Sequence, residues 1–87
     1  MKNAEPRELG QFIVSNPAIC RGLPVFKGTR VTVAEVLNDV ELGLSWDFII
    51  YRWGDGKITR DAVTEAVQLA RRALLSGDGH LIADAAA

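Results

Sequence analysis

Gly22-Leu23-Pro24-Val25-Phe26-Lys27-Gly28-Thr29-Arg30-Val31-Thr32 is the stretch on which the reading of the chain turns. Residues before it are of the types found in extended chain, and residues after it have the spacing of helices. Two glycines and a proline supply turn geometry. Val25, Phe26, Val31 and Val33 are β-prone and flank the bend at Lys27-Gly28-Thr29, which predicts a short hairpin. Its last residue opens the helical part, because Thr32-Val33-Ala34-Glu35 matches a capping box. In that motif the threonine hydroxyl accepts from a free helix amide while the glutamate reaches back to the cap.

Downstream, Val33, Val36, Leu37, Val40 and Leu44 fall on one stripe and predict a helix from about Val33 to Leu42. Glu35, Asn38, Asp39 and Glu41 are placed on its polar face. Gly43 stops it as a C′ glycine and Ser45 caps a second helix, about Trp46 to Trp53. The Gly43-Leu44-Ser45 connection has the length of the turn in a helix-turn-helix. Past the expected turn Gly54-Asp55-Gly56, Thr59 caps a third helix with Asp61 near its positive end and Ile58 placed as a staple. Val63, Ala66, Val67, Ala70, Ala73 and Leu74 are its expected buried stripe, Arg71 and Arg72 suit its last turn, and Gly77 is its expected stop.

Upstream, Gln11-Phe12-Ile13-Val14 is a brief β-prone run that ends at Ser15-Asn16-Pro17, and it is the expected partner strand of the hairpin. The division expected is a flexible lead over 1–10, one hairpin plus three-helix domain over 11–76, and a flexible tail over 77–87. The fold class is thus mainly α with a short N-terminal β-hairpin.

A chain of 87 residues is one domain near the lower limit of what a single core supports, so association with another chain is expected. Its single cysteine, Cys20, forms no intramolecular disulfide and suits a reducing interior. No apolar run has the roughly 20 residues that span a bilayer, and the N-terminus lacks a signal-peptide core, so the expected location is the cytoplasm. Net charge is −1, yet Ser15 to Ala34 contains no acidic residue while holding Arg21, Lys27 and Arg30. The hairpin is a positive region on an otherwise acidic molecule.

An enzyme needs a convergent nucleophile, base or metal set, and none is visible. His80 lies in the expected tail, Cys20 is a small residue beside Ile19, and the carboxylates Glu35, Asp39, Glu41, Asp55, Asp61 and Glu65 are spread over separate elements as a solvated face. No cofactor, metal or small-molecule substrate is therefore expected. Two binding surfaces are. Arg21, Lys27 and Arg30, joined by Lys57 and Arg60 at the start of the third helix, are candidate phosphate contacts. Their ordinary alternative is solubility and local hydrogen bonding, with Arg30 tying the hairpin to helix-end carbonyls. Against base reading, the second helix offers tryptophan and isoleucine where asparagine, glutamine or arginine would read base edges. Trp46, Phe48, Tyr51 and Trp53 surround that short helix with the residue types that anchor interfaces, and a helix so short in so small a domain does not bury every face. Two of the four are expected to finish the core and at least one tryptophan to face a neighbour.

Asn16-Pro17-Ala18-Ile19, then Gly22-x-Pro24-Val25-x-x-Gly28-Thr29-Arg30-Val31-x-Val33, then Gly43-x-Ser45 resemble the pattern of the small prokaryotic domain of unknown function numbered four-three-three. The resemblance covers about residues 13 to 75. It departs at Asn16, where the family usually has aspartate, and at Trp53 to Thr59, where a longer glycine-rich turn replaces a Tyr-Pro-x-Leu-Thr turn. What it implies is a homeodomain-like or winged helix-turn-helix bundle and an antitoxin of the kind paired with PIN-type ribonuclease toxins. On that reading the partners are a cognate toxin, a second copy in a homodimer and the protein's own operator DNA. A transcriptional regulator without a toxin, and a structural homo-oligomer, are the alternatives.

Overall fold

The computed structural model describes residues 5–54 and 56–81. The expected ends at 1–4 and 82–87, and Asp55 of the expected turn, lie outside the described residues. Three strands precede three helices: β1 (Arg7–Glu8), β2 (Ile13–Ser15), β3 (Pro24–Phe26), α1 (Val33–Glu41), α2 (Trp46–Arg52) and α3 (Arg60–Leu74). A short helical turn at Cys20–Gly22 lies between β2 and β3.

The strands form one antiparallel sheet in the order β1-β2-β3, where a two-legged hairpin was expected. Ile13 pairs with Phe26 and Val14 with Val25, while Arg7 pairs with Ser15 across the other side of β2. The return leg of the expected hairpin contributes one bridge, Val25 to Thr32, and the bond from Phe26 N to Val31 O at 3.1 Å. It goes no further because Thr32 is already committed as a helix cap. Its hydroxyl accepts from Glu35 N and Glu35 Oε1 accepts from Thr32 N, so both halves of the capping box form. Arg7 and Glu8, within the expected lead, form the outer strand.

α1 ends as its glycine requires. Gly43 takes φ +81°, Leu44 N donates to Asp39 O and Gly43 N to Val40 O, the double bond of a Schellman ending. Ser45 accepts from Phe48 N and starts α2 two residues later. Thr59 accepts from Ala62 N and starts α3, with Ile58 buried before it as a staple.

The core takes one or more groups from every layer: Ile13, Phe26, Val36, Ile49, Ile58, Ala62, Val63 and Ala66. Full burial of each large member contributes about 1.5–3 kcal/mol against leaving it in water. Two expectations about α3 need correction. Its buried face is Ala62, Val63 and Ala66 with Leu69 half-buried, while Ala70, Ala73 and Leu74 are exposed. At 15 residues the helix is roughly 22 Å long, and its last two turns outrun the core. It also stops at Leu74, before Gly77, because Leu75 turns extended and bridges Leu81. Residues 75–81, which include the first five residues of the expected tail, thereby close a small loop.

Candidate functional site

Two surfaces hold the candidate residues. The first is α2, whose seven residues allow one side to pack. Ile49 is that side, fully buried, and Ile50 packs partly against the same cluster. Trp46 and Trp53 are half-buried against the core as well. The two rings left outward are Phe48, 48% exposed, and Tyr51, 79% exposed, their centroids 6.5 Å apart on adjacent turns. The aromatic surplus expected on α2 is therefore present, carried by a phenylalanine and a tyrosine, while both tryptophans lean inward.

Trp53 leans inward because of Asp39. Asp39 is only 3% exposed although it stands on what should be the polar face of α1. Its Oδ2 accepts from Trp53 Nε1 and its Oδ1 from Arg52 Nη1, both at 2.9 Å. The Arg52 guanidinium in turn lies 4.9 Å over the Trp53 ring. The solvated-face reading of Asp39 is thus corrected: a buried carboxylate persists when it is paired and hydrogen-bonded. A signal was available, since residue 39 lies three positions after Val36 and next to Val40 on the apolar stripe.

Glu65 is the second carboxylate with a task. Its two oxygens accept from Gln11 N at 2.8 Å and Phe12 N at 2.7 Å, clamping the β1–β2 turn onto α3. Gly10 makes room for it, because a Cβ at that position would stand 2.5 Å from the Glu65 carboxyl carbon.

The second surface is the end of the sheet around Lys27-Gly28-Thr29-Arg30. Lys57 reaches this turn from the α3 side, its Nζ 3.4 Å from Gly28 O. The Cys20 thiol lies 3.5 Å from Arg30 O, which brings Arg21 to the same end. Lys27, Arg30 and Lys57 therefore meet at one turn, and Arg21 follows a residue that touches it. Arg60 does not join them: it pairs with Asp47 at 2.6 Å and lies 5.8 Å over the Trp46 ring. Lys27 pairs with Glu8 at 3.1 Å, whereas no ion pair among the described residues involves Arg21 or Arg30. Nor does the Arg30 side chain bond a helix-end carbonyl among them. Arg21 is held in a left-handed conformation, φ +57°, between Cys20 at +49° and Gly22 at +84°. Three consecutive residues of this hand are unusual, since each non-glycine one costs roughly 1–2 kcal/mol.

Among the described residues neither surface holds a nucleophile with a base beside it. Ser76, Asp78 and His80 do meet in the loop after α3, but Asp78 stands in the middle, accepting from Ser76 Oγ and lying 3.0 Å from His80 Nδ1. Those bonds, Ser76 first, hold its carboxyl below the usual range. Activation of a serine needs the histidine between the other two. Among the described residues no group of three histidine, cysteine or acidic side chains could hold a metal ion, and no helix is long and apolar enough to cross a membrane.

Residues 13–70, more than half of the chain, match the model of the family described as "Protein of unknown function (DUF433)". Comparison with curated proteins and with solved structures finds no match.

Proposed function

The chain belongs to the DUF433 family, and on that premise we propose that it is a binding module, an antitoxin-like adaptor that holds a PIN-type ribonuclease toxin in the cytoplasm through the outward rings of α2. The observation that supports this is the pair Phe48 and Tyr51, left in water at 48% and 79% exposure while Ile49 between them is fully buried. Aromatic side chains are large, rigid and costly to leave wet, and they supply much of the binding energy where two proteins meet. Tyr51 also carries a hydroxyl that bonds at the rim of such a contact.

The test is co-expression with the product of the neighbouring gene, then size exclusion. Wild-type protein is expected to co-elute with it and to relieve its toxicity. Tyr51→Ala and Phe48→Ala are expected to melt within about 0.5 kcal/mol of wild type, as exposed positions do, yet to lose co-elution. A chain that binds no such product, or binds it equally well without the two rings, sinks the reading.

The meeting of Lys27, Arg30 and Lys57 at one turn, with Arg21 beside a residue that touches it, favours a second reading, in which the three helices act as a homeodomain-like helix-turn-helix and the basic end contacts operator phosphates. That reading requires binding that falls steeply with salt, since each neutralised phosphate releases counterions. Gel shifts with the protein's own promoter at two salt concentrations test it, and binding unchanged by Lys27→Ala with Arg30→Ala rejects it.

A further inference from the structure

The last two turns of α3 hang over an apolar groove of about 360 Å³, walled by Leu69, Ala70 and Ala73 on one side and by Leu9, Val33 and Leu37 on the other. Leu74, one residue further along, is 52% exposed. We propose that this groove seats a second copy of the chain, with the two α3 helices antiparallel across a two-fold axis near Leu69.

The charge along α3 selects that occupant. Asp61 and Glu65 lie in its first half, where Arg60 is already paired with Asp47 of α2, and Arg71 and Arg72 lie in its last turns. Glu65 and Arg72 are seven positions apart, two turns on one side of the helix. In an antiparallel pair with two-fold symmetry, Glu65 of each copy comes beside Arg72 of the other, so the contact forms twice. A parallel pair would set arginine against arginine, and a peptide of one charge sign would be repelled by one half of the helix. Glu65 already accepts two backbone amides, but a carboxylate has about four lone-pair directions and so retains capacity for a guanidinium. Shape agrees with charge: Ala70 and Ala73 are small, so the backbone of a second helix can approach this wall of the groove closely. The antiparallel arrangement also opposes the two helix dipoles. No residue of α2 takes part, so this inference stands or falls apart from the proposed function.

Sedimentation velocity on the full chain over a wide concentration range tests it. Wild type is expected to be a dimer. Ala70→Glu and Ala73→Glu, at exposed helix positions, are expected to keep the helical circular dichroism and to weaken the dimer about 100-fold or more, because each buries an unpaired charge. A second measurement does not depend on those variants folding. In a Cys20→Ser chain, nitroxides on Gln68→Cys are expected to lie closer together between copies than nitroxides on Tyr51→Cys. A wild type that stays monomeric, its groove filled by residues 82–87 or by another molecule, overturns the proposal. So does a dimer that survives both glutamates, or label distances in the opposite order.

Discussion

The indole Nε1 of Trp53 donates to Asp39 Oδ2 at 2.9 Å, joining the end of α2 to the last turn of α1 across 14 positions of sequence. A carboxylate at 3% exposure would be costly alone, and here both oxygens are satisfied, one by the indole and one by Arg52. The angle between the first two helices is set by this junction as well as by the short turn at Gly43.

Asp39→Ala should therefore lower stability by about 2 kcal/mol, through the lost bonds and the indole N–H left half-buried without a partner. In a domain of this size that is a drop of roughly 10 °C in melting temperature. Arg52→Ala should cost less than half as much, because its side chain is 42% exposed and water takes over much of its role. Thermal melts of the two variants decide it: equal losses would mean that the ion pair, and not the indole bond, holds the junction.

Gly10→Ala should destabilise by about 1–2 kcal/mol, because the new methyl group displaces the Glu65 carboxylate from the amides of Gln11 and Phe12. Glu65→Ala should cost a similar amount. The decisive measurement is the double variant: once Glu65 is gone, the change at residue 10 should cost almost nothing further. Additive losses would show that Gly10 is needed for its backbone alone.

Arg21→Gly should stabilise the protein by about 0.5 kcal/mol. Relief of the left-handed strain at φ +57° is worth roughly 1–2 kcal/mol, and part of it is offset by the greater freedom glycine gives the unfolded chain. If the basic end contacts nucleic acid, the same variant should weaken that binding and reduce the salt slope by about one. A stabilised variant with an unchanged slope would leave Arg21 without a part in it.

Much of this architecture is legible in the residues themselves, since local chemistry decides it. Thr32 with Glu35, Gly43, Ser45 and Thr59 mark helix ends by groups that bond within three or four positions, and all act as expected. The third strand was not legible because Arg7 and Glu8 are both exposed and polar, with nothing in their pattern to set them apart from a loose lead. The roles of Asp39 and Glu65 depend on partners 13 to 54 positions away, which no local pattern contains. The surplus of rings on α2 was visible in composition, but which rings face outward depended on Asp39 and so was not.

The Glu65 clamp also orders events in time. Gln11 waits for a carboxylate 54 residues further on, so its amide and that of Phe12 have this partner only once α3 has docked against the sheet.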